Sequence, residues 1–186
     1  MNQSVDISKG KLLLAEPFML DPHFKRSVIF LCEHQMEGSL GFILNKPLKM
    51  RVDRLVADFP EFNARVYYGG PVGTDTIHYL HRSGDIIDDS LPMGNNVYWG
   101  GNFEKLKFLI QSEVIKPRDI KFFAGYSGWS TGQLAEELHI GSWITAEMDP
   151  NYLFSVPPKK LWSKVLEVKG DTYSVFANIP DHLSWN

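Results

Sequence analysis

Three short apolar runs near the start of the chain, Lys11-Leu12-Leu13-Leu14-Ala15, Ser27-Val28-Ile29-Phe30-Leu31-Cys32 and Gly41-Phe42-Ile43-Leu44, follow one another with no helical pattern between them. Each has the length of a strand, is bounded by turn formers such as Asp21-Pro22 and Asn45-Lys46-Pro47, and reads as buried on both faces. Consecutive strands without intervening helices specify an α+β class with a mainly antiparallel sheet.

Further along, Val52, Leu55, Val56 and Phe59 stand at helical spacing before Pro60. Ala64 to Tyr68 reads as a strand running into the turn Gly69-Gly70-Pro71, and Thr76 to His81 as another. Asn102 is positioned to cap a helix in which Phe103, Leu106, Leu109 and Ile110 share a face. Lys121 to Ala124 reads as a strand that enters a strand-to-helix turn at Gly125-Tyr126-Ser127-Gly128-Trp129. Ser130 and Gln133 have capping-box spacing for the following helix, which carries Leu134 and Leu138 and stops at Gly141. A last helix from Pro157-Pro158, capped by Ser155, buries Leu161, Trp162, Val165 and Leu166, and a final strand spans Thr172 to Ala177 before a loose tail. No repeat or linker divides the chain, so residues 1–186 form a single domain. That length buries a core without help from a metal or a disulfide.

Lys plus Arg number 19 against 22 Asp plus Glu, a formal charge of −3. Binding to nucleic acid through bulk charge is therefore disfavoured. Cys32 is the single cysteine and has no intramolecular partner, which points to a reduced, cytoplasmic protein. The amino terminus has no signal-peptide apolar core, and no run is long enough to span a membrane.

Several local patterns invite chemistry. Gly125 to Trp129 has the strand-turn-helix context of a nucleophile elbow around Ser127, but Trp129 stands where the elbow needs glycine. Neither His139 nor His182 is marked as its base. Cys32 and His34 share one face of a strand and could form an activated thiol or seed a metal site, yet no further ligands stand at regular spacing. His78 and His81 point to opposite faces and cannot chelate together. Gly69-Gly70-Pro71 and Gly100-Gly101-Asn102 match no phosphate-loop pattern, and turn geometry accounts for both. Two basic stretches, Lys46/Lys49/Arg51/Arg54 and Lys159/Lys160/Lys164/Lys169, accompany no nucleic-acid-binding motif and read as solvated faces.

An ordered set of landmarks resembles the AlgH/YqgE family of bacterial proteins. They are Leu14-Ala15-Glu16-Pro17, Phe24-Lys25-Arg26-Ser27-Val28, Leu31-Cys32-Glu33-His34 with Gly38, and Gly41 to Pro47. Gly69-Gly70-Pro71-Val72 follows, then Gly125 to Trp129 with Gly132-Gln133-Leu134, Glu137 and Trp143. The resemblance implies a compact α+β domain whose branched, mainly antiparallel sheet curls into a pseudo-barrel with helices outside. It supplies no catalytic, cofactor-binding or metal-ligating residues. Some members carry a transcriptional-regulator label from a role in alginate production. The family accepts alanine at the position of Ser127, and Ala135 departs from the acidic residue common there, which removes an acidic pair with Glu137.

Two classes of function follow. The favoured one is a non-catalytic interaction or regulatory protein that uses a surface around the glycine-rich turns to meet a protein partner or small ligand, without direct sequence-specific DNA binding. The other is a cryptic hydrolase or thiol enzyme using Ser127 or Cys32.

Overall fold

The computed structural model describes residues 7–180, and both the amino-terminal tip and His182 lie outside that range. The first half of the chain forms strands β1 (Leu12–Ala15), β2 (Val28–Gln35), β3 (Gly38–Ile43) and β4 (Pro47–Arg51), then helix α1 (Val52–Leu55) and strand β5 (Arg65–Tyr68). Strands β6 (Val72–His81), β7 (Leu91–Gly94) and β8 (Val97–Trp99) follow, then helix α2 (Phe103–Gln111) and the long strand β9 (Ile120–Ser130). The remainder comprises α3 (Gln133–His139), β10 (Trp143–Ala146), α4 (Pro150–Phe154), α5 (Pro158–Lys169) and α6 (Asp171–Ala177).

The strands form one sheet in the order β10-β1-β2-β3-β9-β6-β8-β7, with β5 attached to β9 and β4 to β5. Every pairing is antiparallel except β5 with β9. The α+β class and the branching of the sheet agree with expectation. The pseudo-barrel does not: strand pairing ends at β10 on one side and β7 on the other, so the sheet is neither closed nor strongly curled.

The first strands are buried on both faces, as their unbroken apolar runs require. Leu12, Leu14, Phe30, Cys32 and Phe42 face one cluster completed by Leu161, Trp162, Val165 and Leu166 of α5. Leu13, Ala15, Ile29, Leu31 and Ile43 face another, covered by Leu134 and Leu138 of α3 and by Trp129 and Trp143. A third cluster joins Leu106, Leu109 and Ile110 of α2 to Val66, Phe122 and Phe62. Asn102 caps α2 by accepting from the Lys105 amide at 2.9 Å.

Three segments differ from their sequence reading. The helix expected over 52–59 stops at Leu55, where Val56 is already extended (φ −100°, ψ 123°). The expected strand at Thr172 to Ala177 is helix α6, begun by a positive φ of 80° at Gly170 and packed against α5. The turn expected at Gly125 to Trp129 is the second half of β9. Among the described residues, no helix is long and apolar enough to cross a membrane.

Candidate functional site

The glycine-rich landmarks meet where the sheet branches. Phe122 to Ala124 of β9 pair with β5 on one side and β6 on the other, whereas Ser127 to Ser130 pair with β3. Gly125, at φ +68°, is the residue at which β9 exchanges partners. Here the Gly69-Gly70 backbone crosses β9 so closely that a β-carbon on Gly69 would lie 2.2 Å from Gly125 O, and one on Gly70 2.2 Å from Tyr126 O. Ser127 is fully buried, and its hydroxyl donates to Gly69 O at 3.1 Å. It therefore ties the crossing together instead of standing exposed on a strained turn. Cys32 is buried beside Phe30 O, and desolvation, reinforced by the Glu33 charge, raises its pKa. A thiol so placed is a poor nucleophile. His34 is bonded to Ser39 Oγ at 2.7 Å.

A second group of landmarks converges on Glu137. Its Oε2 accepts the indole N–H of Trp129 at 2.8 Å and of Trp143 at 2.7 Å, while Oε1 accepts from Gln133 Nε2 at 2.9 Å. The two indole rings meet edge to face, 5.9 Å apart. Gln133 Oε1 also accepts from the Ser130 amide at 3.0 Å, although the residue at the helix cap is Gly132. The expected anchoring of the α3 start is thus present, in a form that links β9, α3 and β10.

The other expected sites are distributed by the fold. His139 is exposed on α3. Lys46 donates to the carbonyls of Pro22 and His23, and the Arg51 guanidinium is bonded to Asp53, which lowers that carboxyl's pKa. Lys159, Lys160 and Lys164 lie exposed on α5, while Lys169 reaches Thr145 O at 2.5 Å. No group of His, Cys, Asp and Glu among the described residues could hold a metal ion.

Sequence reasoning missed a cavity of about 580 Å³ between β6, the end of β8 and the start of α2. Leu55, Ile77, Trp99 and Phe103 give it apolar walls, and Gly100-Gly101 form its floor. Tyr79 donates to Gly101 O at 2.6 Å, and burial pushes its phenol pKa up to about 12. Thr76 uses its proton on Gly73 O at 2.6 Å, so its oxygen accepts from His78 Nε2 at 3.1 Å. That contact leaves Nδ1 of His78 as a free acceptor among the described residues, and burial lowers the ring's pKa. On the opposite face of β6, His81 Nδ1 accepts from the Ser83 amide at 3.1 Å, so Nε2 carries the proton donated to Gly100 O at 2.8 Å. The neutral imidazole thus pins the cavity floor to the sheet. The one signal in the sequence was the Gly100-Gly101 pair itself, which marks a backbone turn (φ +67° and +111°) but not what lies above it.

Comparison with known proteins places the chain in a wider group. Residues 12–174 match the family described as AlgH-like. A UPF0301 protein of Chlorobium phaeobacteroides is 44% identical over 181 residues, 97% of each chain, and one of Cytophaga hutchinsonii is 39% identical over 175 residues, 94% of this chain and 96% of its own. The solution structure of the AlgH protein from Pseudomonas aeruginosa superposes with a TM-score of 0.75 at 30% identity, covering 98% of this chain and 100% of that one. A Corynebacterium diphtheriae crystal structure, at 23% identity and a TM-score of 0.78, covers 94% of this chain and 93% of its own and shares the fold.

Proposed function

The chain belongs to the AlgH-like family, and from that premise we propose that it is a cytoplasmic, non-catalytic binding protein. On this reading the cavity above Gly100-Gly101 receives a small apolar or aromatic ligand, or an aromatic side chain of a protein partner. Any effect on transcription is then indirect, exerted through that ligand or partner and not through contact with DNA.

The observation that carries the reading is the state of the cavity's polar groups. Tyr79 and His78 spend their protons on Gly101 O and Thr76 Oγ1, Thr74 and Asp75 are the other polar residues at the space, neither serine nor cysteine lines it, and the apolar surface around them suits binding more than bond-breaking. The alternative, a hydrolase or thiol enzyme, needs Ser127 or Cys32 as nucleophile. Ser127 is fully buried with its hydroxyl donating to a carbonyl, and the raised pKa of Cys32 favours the inert thiol.

Complementation of a strain lacking the protein separates the two. Ile77→Trp, which fills the cavity from a half-buried wall position, is expected to fold and fail to complement. Ser127→Ala is expected to complement. A folded Ser127→Ala protein without cellular function overturns the binding reading.

A further inference from the structure

A second cavity, of about 290 Å³, lies between β5, the start of β9 and the α4–α5 link, and shares no lining residue with the apolar one. Its walls carry Arg65, Arg118 and Lys121 and no carboxylate. Lys121 is half-buried on β9. Its ammonium sits 4.2 Å from the centroid of the Tyr67 ring and 3.4 Å from Leu44 O, and it has no carboxylate partner among the described residues. Arg65 has no ion-pair partner among them either, and Arg118 reaches only its neighbour Asp119, at 4.0 Å. The first turn of α5, with no side-chain cap, opens on the same space through Pro157 and Pro158.

An ammonium taken out of water without a counter-charge is costly, and an apolar residue in its place would be the more stable choice. Two arginines and a helix start lining the same cavity add to the same positive field. The counter-charge complementary to such a lining is a multiply charged anion. We propose that this cavity binds a small phosphorylated molecule carrying at least two negative charges, held by Lys121, Arg65 and Arg118. Its volume suits a ligand about the size of pyrophosphate or a simple sugar phosphate, at the bottom of the usual range for small-molecule sites. The site is independent of the apolar cavity, and its failure would leave that reading untouched.

Calorimetric titration with pyrophosphate and with inorganic phosphate, at low salt, tests the proposal. Saturable binding of pyrophosphate is expected, tighter than that of phosphate. Lys121→Met is expected to weaken it about tenfold or more, the scale of one charge-assisted hydrogen bond. Because Lys121 is half-buried in the sheet, the double variant Arg65→Gln/Arg118→Gln, at surface positions, provides a second reading and is expected to lose as much. Lys164→Met, on the exposed face of α5, is expected to bind like the unmodified chain. The proposal falls if pyrophosphate shows no saturation, if the double variant binds unchanged, or if Lys164→Met weakens binding equally. Displacement of pyrophosphate by a duplex oligonucleotide at equal phosphate concentration would assign the surface to nucleic acid and overturn it as well.

Discussion

Ser127 shows how a residue's chemistry follows from where its backbone runs. A hydroxyl on an exposed turn is available for attack, whereas one aimed at Gly69 O inside a sheet crossing is a fastener. Ser127→Ala is expected to cost about 1 kcal/mol, the net worth of one hydrogen bond, as a modest drop in the urea midpoint. His81 makes the opposite kind of commitment, since burial holds its pKa below the ordinary value despite the opposing pull of the Gly100 O hydrogen bond. Below about pH 6.5 the unfolded chain binds a proton there that the folded chain resists. Stability is therefore full above that pH and is lost as the pH falls through it. Thermal melts from pH 8 to pH 5 should show this loss, and His81→Gln should flatten it; equal slopes for both proteins would refute the assignment. The burial of Cys32 was legible in the apolar run around it. That of Ser127 was not, because neighbouring glycines signal a turn and a strand crossing alike.

At the scale of elements, Gly125 and the Glu137 junction organise the fold. The sequence pattern ended the strand at Gly125, yet the missing β-carbon lets Gly70 O and Val72 O approach while β9 continues and changes partners. Replacing Gly70 with alanine puts a methyl group into the Tyr126 backbone and is expected to prevent folding, as judged by circular dichroism. Glu137→Ala orphans two indole N–H groups at once and is expected to destabilise by about 2–4 kcal/mol, while Glu137→Gln, which keeps one acceptor oxygen for the indoles, should cost less. Trp129→Ala removes a buried ring from the same junction and should cost about 3–5 kcal/mol in chemical denaturation. The constituents of this junction were visible as landmarks, but their meeting depends on β10 pairing with β1, which no local pattern encodes. The same limit explains α6: Thr172 and Val175 have strand propensity, and packing on α5 overrides it.

Across the whole molecule, two of the cavities among the described residues have opposite characters, one apolar beside β6 and one positive beside β5. Neither was legible, because each draws its walls from segments far apart in the chain. The positive one carries a cost that pH can read. Burial lowers the Lys121 pKa to about 8, while Arg65 and Arg118 line the same cavity and the Tyr67 ring lies beside the ammonium. The folded chain thus loses this proton before the unfolded chain does, and stability attributable to Lys121 rises between about pH 8 and pH 10.5. Lys121→Met should be the more stable protein at pH 7, by up to about 3 kcal/mol, with the advantage shrinking as pH rises. Ligand binding at the other, apolar cavity can be read by chemical-shift mapping with indole as an aromatic probe. Saturable shifts confined to Ile77, His78, Tyr79, Trp99 and Phe103 are expected, and their loss in Ile77→Trp. Shifts centred instead on Ser127 or Cys32, or none at all, would contradict it.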